Sequence, residues 1–225
     1  MIPLRDTVRS RRFPLITIGL LLVNAFVFVQ QVLAGRRAER LLLAYGLIPE
    51  RFVHFADFGL PPLSPVRFLP LLTSMFFHGG LFHLLGNMLF LWIFADNIED
   101  KLGRGRFTLF YLLCGVCAAF AQIAQDPEST IPMIGASGAI AGVLGAYLIT
   151  FPRAKVLTLV PLFFIPWLVE VPAVVFLLLW FATQVLSAWM GFGHEMTGGV
   201  AVWAHIGGFL SGVVWMKLLE PRGRR

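Results

Sequence analysis

Ile131-Pro-Met-Ile-Gly-Ala-Ser-Gly-Ala-Ile-Ala-Gly-Val-Leu-Gly-Ala-Tyr147 is an apolar run with one hydroxyl, Ser137, held within Gly135-Ala-Ser-Gly138 at its start. After Ser137, the small residues Gly138, Ala141, Gly142 and Gly145 recur at spacings of three and four. On a helix that spacing makes one smooth face, where a second backbone can approach closely in lipid. A serine at the mouth of such a helix can simply bond to nearby backbone. It can also be a nucleophile held where water reaches it. The surrounding chain decides between these readings.

Of the 225 residues 58% are hydrophobic and 13% charged, with a mean hydropathy of +0.81. Soluble domains carry roughly a quarter charged residues, so this composition belongs in lipid. The net charge of +6 comes from basic residues flanking apolar runs rather than from a basic stripe interleaved with aromatics. Nucleic acid is therefore not an expected partner. The first apolar segment is too long for a cleavable signal. The two cysteines, Cys114 and Cys117, lie inside an apolar segment without a second ligand pair and read as packing residues, so no metal or cofactor is expected.

Six spans are predicted, at about 14–34, 81–98, 107–125, 135–151, 168–191 and 200–219, in a single all-α membrane domain covering residues 1–225. The segment at about 35–72 mixes arginines, leucines and prolines and reads as an interfacial, amphipathic element. Between Pro152 and Trp167 three prolines predict a connection at the interface. The leader arginines, Lys101, Arg104, Arg106, Arg153, Lys155, Lys217, Arg222, Arg224 and Arg225 fall on one side if the N- and C-termini are both cytoplasmic, and only the long first loop breaks the pattern. The short outer connections, 126–132 and 192–199, contain no Lys or Arg.

With this topology, spans two, four and six all begin at the outer side. They bring His78, His83 and Asn87, then Ser137, then His205 to one layer, His205 lying roughly 8 Å deep at 1.5 Å per residue. Ionisable groups in a membrane are costly and point to function. Gly208, Ser211 and Gly212, with Ala204, form a second smooth seam on span six. If the two seams face each other, Ser137 and His205 come within hydrogen-bonding reach. Neutral imidazole can then take the serine proton. His83 and Asn87, four apart on one face, can donate to a developing oxyanion together with the backbone N–H of Ser137 at a helix N-terminus. No acid stands out as a third member, because Asp126, Glu128 and Glu195 sit in loops. The expectation is a Ser–His dyad. The sequence Gly135-Ala-Ser-Gly-Ala139 is not the G-x-S-x-G elbow, since Ala139 stands where glycine is needed.

These residues resemble the rhomboid family of intramembrane serine proteases, in its basic six-span bacterial form. The resemblance rests on His78-Gly-Gly-Leu-Phe-His-Leu-Leu-Gly-Asn87, Gly135-Ala-Ser-Gly138 and Ala204-His-Ile-Gly-Gly208 followed by Gly212. It implies Ser137 as nucleophile and His205 as base. His83, Asn87 and the Ser137 amide would form the oxyanion hole, and His78 would support the site and its water. Glu99, in Asn97-Ile-Glu-Asp-Lys-Leu-Gly103, would be structural, and the first loop would be a half-embedded hairpin. Trp180 and Phe181 on span five would flank the route by which a substrate helix enters from lipid. The implied partners are transmembrane protein substrates and lipid, and the implied location is a bacterial inner (plasma) membrane. Two positions depart from the family pattern. Leu69-Pro70 stands where many members have Trp-Arg, with Arg67 upstream. Ala141 stands four residues after the nucleophile, where some members carry an aromatic against which the base stacks.

Two other readings fit parts of the chain. A catalytically silent rhomboid-like protein that binds membrane clients would be expected to have lost Ser137 or His205, and both are present. Haem binding or transport through His78, His83 and His205 is weaker. Haem would need two histidines facing one cavity, yet five residues along a helix sets His78 and His83 about 140° apart. A transporter would more often show internal repeats or paired broken spans.

Overall fold

The computed structural model describes residues 1–59, 61–162, 165–190 and 201–221. The expected outer connection 192–199 with Glu195, and Arg222, Arg224 and Arg225, lie outside the described residues. The chain opens with strand β1 (Ile2–Asp6), then helix α1 (Leu15–Leu33) and the short helices α2 (Ala38–Tyr45), α3 (Pro49–Val53), α4 (Pro65–Phe68) and α5 (Pro70–Thr73). The long helices α6 (Leu81–Leu102) and α7 (Arg104–Gln125) follow, then α8 (Ser137–Thr150), strands β2 (Lys155–Leu162) and β3 (Ile165–Pro172), α9 (Ala173–Trp189) and α10 (Val202–Leu219). Among the described residues four helices, α1, α6, α7 and α10, are long and apolar enough to cross a membrane; α8 and α9 are shorter apolar helices. The chain is thus a mostly helical bundle of membrane type.

At its centre α8 is buried along nearly its whole length, from Gly138 to Tyr147, with α10 laid directly against it. Gly138, Gly142 and Gly145 of α8 meet Gly208, Phe209 and Gly212 of α10 backbone to backbone. This is the face-to-face contact of seams that the small-residue spacing predicts. Cys114 of α7 packs beneath Gly142, which absorbs one of the two cysteines into the core.

Helix α1 is polar on the inside and apolar on the outside. Thr17, Asn24 and Gln31 are buried at intervals of seven residues, while Leu22, Phe26, Val29 and Leu33 are exposed. In lipid, polar groups find their partners within the protein. Glu99 of α6 accepts from the backbone N–H groups of Ile16 (3.0 Å) and Thr17 (2.8 Å) and from the Thr17 hydroxyl (2.8 Å). One carboxylate therefore caps the first turn of α1, where free N–H groups and the helix dipole both favour an anion. Further along, the Gln31 side chain exchanges two hydrogen bonds with the backbone of His78. Glu99 is structural, and the turn after it is a single residue, Gly103, whose φ of +79° joins α6 to α7.

The expectation of an all-α domain is corrected by a three-stranded antiparallel sheet, ordered β1-β2-β3. The region 152–167 is not a simple connection: β2 and β3 pair from Lys155↔Pro172 to Leu162↔Ile165, and the helix expected as span five accordingly starts at Ala173 rather than at about 168. Pro161 and Pro166 sit opposite one another in this register and exclude a helix there. Val156 and Thr158 are fully buried, and Lys155 pairs with Glu170 at 3.1 Å. The segment 35–72 is a succession of short helices tied to the loop before α8. Leu47 bridges Met133, the Glu50 N–H bonds Ser129, and His54 bonds Glu128 at 3.0 Å. Arg67 closes the segment by donating to the carbonyls of Phe52 and Pro62 while lying 4.9 Å from the centre of the Phe52 ring.

Strand β1 is fastened to the bundle through Asp6, which accepts from the Tyr147 hydroxyl and from Asn97 (2.9 Å). Burial pushes the Asp6 carboxyl up to about 6, against the opposing effect of the Tyr147 hydrogen bond. A raised carboxylic acid binds its proton more tightly folded than unfolded, so its contribution is largest at low pH and falls as pH rises from about 4 to about 6. Amide exchange in β1, corrected for intrinsic rates, should therefore show stronger protection at pH 4.5 than at pH 7. Asp6→Asn should flatten that dependence. Protection that grows with pH would contradict this account.

Candidate active site

Ser137 is the first residue of α8, and His205 lies in the first turn of α10. Because the two glycine seams draw these helices together, the imidazole Nε2 of His205 stands 2.8 Å from the Ser137 hydroxyl. His205 is 8% exposed, so its ring is held within the protein rather than in solvent. On the far side of the ring, Nδ1 stands 2.8 Å from the amide oxygen of Gln184 on α9. Trp180, one helical turn earlier, lies over the imidazole with ring centres 5.8 Å apart and planes inclined by 36°.

The Ala141 departure is explained by this arrangement. Ala141 faces Gly208 across the seam, where a large ring would force α8 and α10 apart. The aromatic partner of His205 comes instead from α9. Gln184 was not singled out in the sequence reading. The signal that could have found it is the one used for Asn87, a lone amide inside an apolar run.

The turn into α8 is built by glycine. Gly135 has φ +124°, a conformation L side chains rarely adopt, and its N–H donates to Ser74 at 2.9 Å. A Cβ at Gly135 would also stand 2.9 Å from Nε2 and Cε1 of His83. The tip of the His83 ring is therefore beside Gly135, next to Ser137. Nδ1 of His83 accepts the Gly79 N–H at 3.3 Å. A neutral imidazole that accepts at Nδ1 carries its proton on Nε2, which leaves a donor at the end facing Ser137.

Asn87, one turn further along α6, is buried. It donates one amide hydrogen to the His83 carbonyl at 3.0 Å and keeps a second. The N–H of Ser137, at the start of α8, is one of the helix's free amide donors. Ser137 and His83 thus present donors on either side of Gly135, and Asn87 holds a further amide donor one turn beyond His83 on α6.

His78 precedes α6 rather than lying on it, so the helical offset of about 140° does not apply. Its ring meets that of His83 edge-on, with centres 5.1 Å apart. Both His78 ring nitrogens are buried without a partner among the described residues, and its backbone is held by Gln31 of α1. The structure therefore brings Ser137, His205 and His83 together, with His78 against the His83 ring and Asn87 bonded to the His83 carbonyl.

A helical bundle of membrane type, enclosing a hydrogen-bonded serine–histidine pair at the start of two seamed helices, is the class of protein defined so far. Residues 65–222 match the Rhomboid domain, and the chain belongs to the rhomboid family. It is 33% identical over 155 residues to the mitochondrial presenilin-associated rhomboid-like protein A of Danio rerio, covering 68% of this chain and 38% of that one. The bovine mitochondrial presenilin-associated rhomboid-like protein is 28% identical over 198 residues, covering 87% and 46%. The rhomboid protease GluP of Bacillus subtilis is 44% identical over 78 residues, covering 35% and 15%. The chain thus spans less than half the length of each of these relatives. Two of these relatives carry "mitochondrial" in their names and the third is from a bacterium, so the bacterial inner membrane expected above is not supported by these similarities.

Proposed function

We propose that this protein is an intramembrane serine endopeptidase, with Ser137 as nucleophile and His205 as general base and then general acid. The observation that carries the proposal is the 2.8 Å contact between Nε2 of His205 and the Ser137 hydroxyl. In this reading Nε2 takes the hydroxyl proton as Oγ attacks a substrate carbonyl carbon. The resulting oxyanion is met by the Ser137 N–H, Nε2–H of His83 and the free amide hydrogen of Asn87. The imidazolium then gives its proton to the departing amine, leaving an acyl ester on Ser137. Water, deprotonated by the same imidazole, hydrolyses that ester and restores the serine.

We read all six apolar helices as membrane-embedded. The length of α8, 14 residues, is about 21 Å at 1.5 Å per residue, against about 30 Å of hydrocarbon. With its far end at the boundary marked by Arg153 and Lys155, its start would fall short of the outer surface, and water would have to reach Ser137 from that side. A substrate helix hides its carbonyls in i→i−4 hydrogen bonds. The segment cleaved would therefore be one rich in small or helix-breaking residues that unwinds locally near the outer leaflet.

The test is covalent labelling of the purified full chain with an alkyl fluorophosphonate. The label should be found on Ser137 and should be lost in both Ser137→Ala and His205→Ala. Labelling that survives the loss of His205 would remove the dyad. A wild-type protein that binds membrane clients but takes no label would favour the silent client-binding reading.

A further inference from the structure

We infer that Gln184 is the positioning residue of the base: it selects the imidazole tautomer that allows His205 to accept the serine proton. The inference rests on the protease reading above.

The argument begins with the direction of the amide. Gln184 Nε2 lies 3.5 Å from the Trp180 carbonyl and 3.2 Å from the Thr183 hydroxyl, so its donors are turned back toward its own helix. Oε1 is left facing Nδ1 of His205 at 2.8 Å. An acceptor at that position requires Nδ1 to carry the proton, and a neutral ring with Nδ1–H has its lone pair on Nε2. That lone pair is the one aimed at Ser137. With the amide reversed, Nδ1 would accept and Nε2 would carry the proton, leaving no base opposite the serine. Gln184 therefore does for tautomer and ring orientation what a buried carboxylate does in a Ser-His-Asp triad. It does so without placing a charge in the membrane, where a charge is costly.

The same contact makes the base depend on the seating of α9. The buried residues of α9 are Ala173, Phe176 and Leu177, all in its first two turns, while Leu178, Leu179, Val185, Leu186 and Trp189 are exposed. The second half of the helix meets the bundle through Trp180 over His205, Phe181 stacked on Phe209 at 4.5 Å, and Gln184. Displacement of that half removes the Nδ1 acceptor, so the dyad is complete only while α9 is docked.

The experiment compares Gln184→Met, which keeps length and bulk but has no amide acceptor, with Gln184→Glu, which keeps an oxygen on the same arm. Fluorophosphonate inactivation of the purified full chain separates the maximal rate from the half-saturating concentration. For Gln184→Met the maximal rate should fall about 10- to 100-fold, because orientation of a reacting group is a large share of such a barrier. The half-saturating concentration should change less than about twofold, since Gln184 touches the base rather than the probe. Gln184→Glu should recover most of the rate. Nitrogen-15 spectra of labelled histidine should show His205 as the Nδ1–H tautomer in the wild type and as a mixture in Gln184→Met.

Gln184→Met labelling at the wild-type rate with an unchanged tautomer would overturn the inference and leave the protease reading standing. Equal losses in Met and Glu variants, with lowered thermal stability in both, would reduce Gln184 to a packing residue. Wild-type protein that takes no label on Ser137 would overturn both readings together.

Discussion

Ser137→Ala should lower cleavage of a transmembrane substrate by at least about 10⁴-fold, and His205→Ala should do nearly the same, while the double variant is no worse than either alone. The reason is that in the proposed mechanism nucleophile and base act as one unit. Once either is gone, only binding and oxyanion donors remain to lower the barrier, and removing the other takes nothing further away. Asn87→Ala tests a separate part of the site. It should lower kcat about 10²-fold, the order seen when one oxyanion donor is deleted, and it should leave Ser137 able to take a fluorophosphonate. The measurement is kcat and KM on one fluorogenic peptide in detergent or in a bilayer, with folding of each variant followed by circular dichroism. Losses that multiply in the double variant would mean that Ser137 and His205 act independently. The 2.8 Å contact between them would then be structural.

The pairing of Ser137 with His205 was legible in the sequence because it follows from local patterns. Small residues at three- and four-residue spacing oblige two helices to touch, and the touching faces each begin at a polar side chain. Glu99 was legible only as structural; its partners, Ile16 and Thr17, lie more than 80 residues away. The stripe Thr17, Asn24, Gln31 has a period of seven that a search for polar residues in the first span would have found. The usual expectation of a polar outer face inverts in lipid, so such a stripe marks the buried side.

The sheet was not legible. A short apolar run with prolines does not distinguish strand from broken helix by hydropathy, and β1 pairs with a segment about 150 residues further along the chain. What orients His205 was also hidden. The partner in the family pattern would be an aromatic at position 141. The space there is taken by the close approach of α10, so Trp180 and Gln184 of α9 supply the orientation instead. Sequence spacing describes faces within one helix, and this contact depends on how a third helix leans.

The second large effect should come from the seam itself. Gly212→Val should prevent normal folding, lowering the amount of protein recovered from membranes and cutting stability by at least about 3 kcal/mol in any that folds, the upper part of the range for overpacking. A Cβ at Gly212 would land on the carbonyl of Gly142. The obstacle is backbone inside a helix that is buried on every side, so it cannot rotate away as a flexible side chain would. Gly208 meets the carbonyl of Gly138 in the same way, which means that pushing α10 outward at one point opens the seam toward the Ser137 end. Loss of stability and separation of the Ser137–His205 pair therefore share one physical cause. Gly19→Ala provides the contrast. A Cβ there meets nothing within 4 Å, and alanine is favoured over glycine in a helix interior by up to about 1 kcal/mol. That variant should fold at least as well as the wild type. Thermal unfolding in one detergent, followed by helical circular dichroism, compares the two directly. A Gly212→Val protein as stable as Gly19→Ala would show that α8 and α10 can separate at no cost, and the close approach on which the site is built would not hold.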